Sequence, residues 1–146
     1  MLNDIGPEID QTGIDRIGGY VGREVRFDNW EKAADVLADR NREVFPRWKR
    51  DDWERFAHRI MHETSDGIAF QYDMRIAENF RAATEGPQGA NWNLYESLAG
   101  RPVTILRGEL SDLLAPDIAE QMVERLNGEA ELVVVPDVGH TPNLEE

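Results

Sequence analysis

Residues 103–135, VTILRGELSDLLAPDIAEQMVERLNGEAELVVV, decide the fold class of this chain. Residues 103–106 and 132–135 are short apolar runs without alternation, which is typical of strands buried on both faces. The segment between them predicts a helix that stops at Asn127-Gly128. Its apolar stripe has helical spacing and consists of Ile118, Ala119, Met122, Val123 and Leu126. Strand, helix and strand of this length predict one parallel βαβ unit, and therefore an α/β fold that needs further strands for cover.

One acidic and one basic side chain follow the two predicted strands. Asp112 lies in the loop after the first strand, and His140 lies in the loop after the second. Loops at the carboxyl ends of neighbouring parallel strands emerge side by side, so a hydrogen bond between these two side chains is possible. Such a pair can act as the orienting acid and the general base of a hydrolytic triad. The alternative is that Asp112 only starts the helix near Pro116 and that His140 is an ordinary loop residue.

The region before this unit follows different rules. All Phe, Trp and Tyr residues of the chain fall between Tyr20 and Tyr95, and none follows Tyr95. Apolar spacing predicts helices around residues 28–37, 51–61 and 74–83, while the Gly- and Asp-rich segment before Tyr20 predicts a loop.

Composition excludes several classes of protein. The chain has 146 residues, no cysteine and a net charge of −13. Disulfides and cysteine-ligated metals are therefore excluded, and the acidic balance argues against a nucleic-acid partner. Neither a membrane-spanning apolar segment nor a targeting sequence is visible, which predicts a cytoplasmic protein without a membrane partner.

Two further patterns do not predict ligand sites. His58 and His62 are four residues apart on a predicted helix, but they lie on its solvent face and have no obvious third metal ligand. Gly18, Gly19 and Gly22 do not link a strand to a helix, as a phosphate-binding loop would. We therefore predict no metal and no cofactor.

Three motifs together resemble the α/β-hydrolases. Residues 107–114 (RGELSDLL) and 135–142 (VPDVGHTP) are similar to the last two strands and loops of that family, and residues 2–8 (LNDIGPE) resemble the segment that leaves its sixth strand. The resemblance is to the bacterial branch of esterases, lactonases and carbon–carbon hydrolases. It implies a segment leaving the sixth strand at 1–15, a helical cap at 16–98 and the last two strands and loops of the core at 99–146.

The resemblance also implies roles and an omission. Asp112 corresponds to the acid and His140 to the base of a Ser-Asp-His triad, acting on a small ester, lactone or related carbonyl substrate without a cofactor. The G-x-S-x-G nucleophile motif is absent, because Ser65, Ser97 and Ser111 all lie in other contexts. The chain thus resembles the C-terminal half of a hydrolase, and we expect it to be inactive alone.

A second interpretation belongs to another class. The chain can be a non-catalytic interaction module that pairs an open sheet edge with a second chain. The partner would be another copy, giving a homodimer, or a complementing N-terminal half. The sequence does not identify the substrate.

Overall fold

The computed structural model describes residues 1–85 and 89–140. The chain divides into two compact units, Met1–Ile17 with Thr84–Glu146, and Gly18–Ala83. The elements in chain order are β1 (Leu2–Asn3), α1 (Gln11–Gly18), β2 (Arg26–Phe27), α2 (Trp30–Asn41), α3 (Arg50–Ile60), β3 (Met61–Thr64), β4 (Gly67–Phe70), α4 (Ile76–Glu85), α5 (Trp92–Glu96), β5 (Val103–Gly108), α6 (Pro116–Arg125) and β6 (Ala130–Val135).

The first unit contains a three-stranded sheet in the order β1-β5-β6, with both pairings parallel. The predicted βαβ unit is confirmed, with Ile105 opposite Leu132 in the register of β5 and β6. One face of the sheet packs on α6 around residues that are fully buried, namely Ile105, Leu114, Ala119, Met122 and Leu126. This core holds the carboxyl ends of the three strands in fixed relative positions, since close-packed interiors resist displacement.

The ends of α6 match the sequence prediction. Pro116 occupies the first turn, and Ala115 at the N-cap supplies no side-chain hydrogen bond. Asn127 and Gly128 both adopt positive φ, at 52° and 83°, and terminate the helix.

The second unit contains strands as well as helices. It contains an antiparallel sheet in the order β2-β4-β3 beside the predicted helices. The helix predicted over 51–61 is α3, but it ends at Ile60, and Met61 already begins β3. Met61 fits the helical stripe in sequence, yet its backbone pairs with Phe70 across the sheet. Strands of two to four residues are stabilised by their partners, so periodicity alone did not reveal them.

The loop prediction for the segment before Tyr20 is also corrected. It contains the helix α1, with Gly13 buried against the loop after β5, rather than a loop alone. The unit Gly18–Ala83 lies inside the range 16–98 predicted for a cap, whereas α5 belongs to the first unit. Gly86-Pro87, predicted to follow the third helix, and Thr141-Pro142 of the histidine motif lie outside the described residues.

Residues 1–85 and 89–140 lack two kinds of feature. None of the helices there is both long and apolar enough to cross a membrane. The same residues contain no group of three or more His, Cys, Asp or Glu side chains arranged to hold a metal ion. His58 is in α3 and His62 is in β3, so the two histidines do not share one helical face.

Candidate active site

The centre of the site is Asp4, the residue directly after β1. Its side chain is completely buried, and its backbone has a φ of 50°, which Asp tolerates better than most residues. Its backbone N–H donates to the Leu106 carbonyl at 2.7 Å and so continues the pairing of β1 with β5. The carboxylate accepts from the Gly108 backbone N–H at 2.9 Å and from the Ser111 hydroxyl at 2.5 Å. A buried carboxylate with such donors is compensated for its lost hydration.

The third partner of Asp4 is His140. Its Nδ1 atom lies 2.9 Å from Asp4 Oδ2, and its side chain is one third exposed. An ionised carboxylate can only accept hydrogen bonds, so with Asp4 as the acceptor Nδ1 is the donor and Nε2 is left for other contacts. This arrangement pairs a completely buried carboxyl group with a partly accessible imidazole.

Glycine allows the two loops that carry these groups to meet. A Cβ atom added at Gly108 would lie 2.0 Å from the Gly139 carbonyl oxygen and 2.6 Å from that of Val138. The Leu110 N–H donates to the Val138 carbonyl at 2.9 Å across the same gap. The absence of a side chain at Gly108 therefore lets the histidine loop lie directly against the end of β5.

Ser111 organises the loop after β5. Its hydroxyl oxygen accepts from the backbone N–H groups of Leu113 and Leu114, both at 3.2 Å, while it donates to Asp4. The hydroxyl proton is thus directed to the buried Asp4 carboxylate after β1. This geometry agrees with the sequence argument that Ser111 is a poor candidate for the nucleophile.

Arg107 supports the same loop from inside. The residue is 5% exposed, and its guanidinium donates to the carbonyl oxygens of Leu114 at 2.8 Å and Glu109 at 3.2 Å. Because the fork-shaped guanidinium binds both sides of the turn, it holds Ser111 in position for Asp4.

Asp112 is bound by Arg16 of α1. Arg16 Nε lies 2.5 Å from Oδ2, and Nη2 lies 2.8 Å from Oδ1, so both carboxylate oxygens are engaged. The hydrogen bonds from Arg16 hold the pKa of Asp112 below its usual value, although burial opposes this effect. The charges of Arg16 and His140 also lower this pKa. The hydrogen bond predicted between Asp112 and His140 is not formed, since each side chain pairs with another residue.

The structure corrects the predicted pairing. The carboxylate bonded to His140 Nδ1 belongs to Asp4, whereas Asp112 pairs with Arg16. The physical reason is that α1, predicted as a loop, brings a cation to Asp112. A signal for Asp4 was present, because it lies within residues 2–8, the segment interpreted as leaving a strand, where functional groups of parallel sheets collect. The two residues of β1 are too few to show periodicity.

The parallel sheet and the order of the motifs define the class: this chain has a partial α/β-hydrolase fold and is similar to proteins of the α/β-hydrolase family. Two relatives support this most directly. A 3-hydroxybutyrate-oligomer hydrolase from Cupriavidus necator is 33% identical over 99% of this chain and 51% of its own length. The crystal structure of an α/β-hydrolase from Novosphingobium aromaticivorans is 46% identical over 99% of this chain and 51% of that chain, with a TM-score of 0.87.

A more distant structure extends the likeness of the fold. A putative hydrolase from Rickettsia typhi is 22% identical, with a TM-score of 0.78 over 99% of this chain and 48% of that one. No family model matches the sequence. The chain spans about half the length of the relatives it matches, a share that fits the C-terminal half expected from the motifs.

Proposed function

We propose that this chain supplies the acid–base half of an ester hydrolase, with His140 as the general base and Asp4 as the carboxylate that orients it. The observation that carries the proposal is the 2.9 Å contact between His140 Nδ1 and Asp4 Oδ2, made by a completely buried acid. The hydrogen bond fixes the ring so that Nε2 can take a proton, and the carboxylate stabilises the imidazolium that forms.

The reaction requires a serine from the part of a hydrolase that this sequence lacks. His140 removes the serine proton as the hydroxyl oxygen attacks the ester carbonyl, and it returns this proton to the alcohol that leaves. Water then attacks the acyl-enzyme with the same assistance, so that an acid is released and the serine is regenerated. The net change is one ester and one water converted to one acid and one alcohol.

The substrate class is a small ester. The Cupriavidus necator relative is described as a hydrolase of 3-hydroxybutyrate oligomers. Such oligomers are joined by ester bonds between short hydroxy acids, which is the chemistry that an acid–base pair of this kind serves. We therefore place short hydroxy-acid esters first among the candidate substrates of the intact enzyme, ahead of lactones and other carbonyl compounds.

A chimera tests the roles of the side chains. This chain replaces the matched half of the Novosphingobium hydrolase, and the product is assayed on p-nitrophenyl butyrate and on linear 3-hydroxybutyrate dimers. His140→Gln should lower kcat by about a thousand-fold or more, and Asp4→Asn by about a hundred-fold or more.

The matched control is Asp112→Asn, which removes a carboxylate from the same cluster. We expect it to change kcat by less than about ten-fold, because Asp112 does not contact the base. Equal losses in Asp4→Asn and Asp112→Asn, or full activity of His140→Gln, would contradict the proposal. Pairing of the chain with a second copy or a complementing half stays a prediction.

A further inference from the structure

One carboxylate of this cluster contacts the imidazole, and a second belongs to the loop that holds the first. Ser111 donates to the same Asp4 oxygen that faces His140, and Asp112 is the next residue along the chain. If the loop after β5 moved toward the ring, the Asp112 carboxylate would become a second acceptor for His140. Such competition would loosen the orientation of the ring, because a base serves catalysis only in a defined geometry.

Helix α1 contacts this loop through its backbone. The Gly13 N–H donates to the Asp112 carbonyl at 2.9 Å. A Cβ atom at Gly13 would lie 2.4 Å from that carbonyl oxygen, so only glycine permits the contact. Arg16 lies three residues after Gly13 and hence on the same face of the helix.

Arg16 also engages the Asp112 side chain. Its Nε and Nη2 atoms form a two-pronged contact with both carboxylate oxygens at 2.5 and 2.8 Å. Bidentate pairs of this kind fix orientation as well as charge. The side chains of Arg16 and Asp112 are 32% and 20% exposed, so water screens the pair only in part.

We propose that Arg16 is a positioning residue of the acid–base pair. By engaging both oxygens of Asp112, it leaves Asp4 as the carboxylate that orients His140. The importance of this role for turnover rests on the proposed function of His140 as the base. The other charged groups of the cluster are otherwise engaged, since Arg107 binds carbonyl oxygens of the loop and Glu109 accepts from the Asp137 N–H at 3.0 Å.

The test is nuclear magnetic resonance of the full chain with ¹⁵N-labelled histidine, which needs no turnover. The sequence has three histidines, so His140→Gln identifies the His140 signals. We expect a downfield Nδ1–H resonance in the parent chain, and its loss in Asp4→Asn. Adding Arg16→Met to Asp4→Asn should restore the resonance through Asp112, and a further Asp112→Asn substitution should remove it again.

One control and one substitute variant accompany this series. Arg55→Met removes an arginine that pairs with Asp52 in the other unit, and it should not restore the resonance in the Asp4→Asn background. Arg16→Gln is the second variant if Arg16→Met does not fold, as judged by amide spectra. The proposal is wrong if the folded double variant remains indistinguishable from Asp4→Asn.

Failure of this proposal differs from failure of the proposed function. Full hydrolysis by the His140→Gln chimera would remove the catalytic role of His140 while leaving the spectroscopic series interpretable. An unchanged spectrum in the double variants, together with an inactive His140→Gln chimera, would remove only the role of Arg16.

Discussion

At the scale of single residues, the site depends on buried polar groups that satisfy one another. Asp4 accepts from Gly108, Ser111 and His140, and it has no contact with solvent. A change at such a position acts mainly through the partners that it leaves unpaired, since an unsatisfied buried donor costs more than an average hydrogen bond contributes.

Asp4→Ala should therefore destabilise the chain more than Asp4→Asn. Alanine removes the acceptor of the Gly108 N–H and the Ser111 hydroxyl, and we expect a loss of about 2–3 kcal/mol in the free energy of unfolding. Asparagine keeps an acceptor oxygen and tolerates the φ of 50° at this position. Urea denaturation of both variants measures the difference, and equal losses would contradict this account of the site.

The Arg16–Asp112 pair predicts a dependence of stability on pH. Its hydrogen bonds lower the pKa of Asp112 in the folded state. The contribution is thus present above the ordinary pKa of about 3.9 and is lost as pH falls through the lower folded value. Asp112→Asn should cost about 1 kcal/mol at neutral pH and progressively less on acidification. Urea titrations across this range give the result, and a cost independent of pH would refute the assignment.

At the scale of elements, the approach of two loops depends on the end of β5. Gly108→Ala would place a Cβ atom 2.0 Å from the Gly139 carbonyl, a backbone group that cannot rotate away. We expect a loss of about 1–3 kcal/mol and of the His140 Nδ1–H resonance, because the histidine loop must move. Gly89→Ala is the control, since a Cβ atom there meets nothing within 4 Å. A folded Gly108→Ala variant with an unchanged His140 spectrum would be inconsistent with this packing.

The last turn of α6 supports a second prediction at this scale. The buried Tyr95 hydroxyl donates to the Met122 carbonyl at 2.7 Å, while the Leu126 N–H at the C-cap donates to Glu124 instead. Tyr95→Phe should cost about 1 kcal/mol in thermal or urea unfolding. The exposed Tyr20→Phe is the matched control.

Alkaline pH should reduce this contribution. Burial raises the pKa of Tyr95, so the stability gained from its neutral hydroxyl is complete below about pH 10 and is lost as pH rises through the folded value. A cost of Tyr95→Phe that stays constant into strong alkali would argue against this hydrogen bond.

Some of the helices and strands could be predicted from the sequence, and others could not. Strands β5 and β6 and helix α6 were predictable, because buried parallel strands have continuous apolar runs and α6 has a clear stripe and stop signal. The strands of the second unit and α1 were not, because their stability comes from contacts distant in sequence. Gly13 illustrates this point, since its role depends on the Asp112 carbonyl some hundred residues away.

At the scale of the whole molecule, the chain matches half of a hydrolase and lacks the nucleophile motif. The full chain alone should therefore hydrolyse p-nitrophenyl butyrate no faster than its His140→Gln variant, since a base without a nucleophile contributes little. Steady-state assays at high protein concentration measure this. Activity that disappears in Ser111→Ala would contradict the prediction and identify Ser111 as a nucleophile.

The sequence by itself determined the α/β class and the parallel βαβ unit, because local apolar patterns predict these features. It also determined His140 as the candidate base, because this residue follows a predicted strand. Only the tertiary structure decided which carboxylate meets that base. Asp4 and His140 are 136 positions apart, and three strand ends must converge before the two side chains can meet. The choice between Asp4 and Asp112 follows from α1, whose Arg16 engages Asp112, and a contact of that kind depends on packing that no local pattern records.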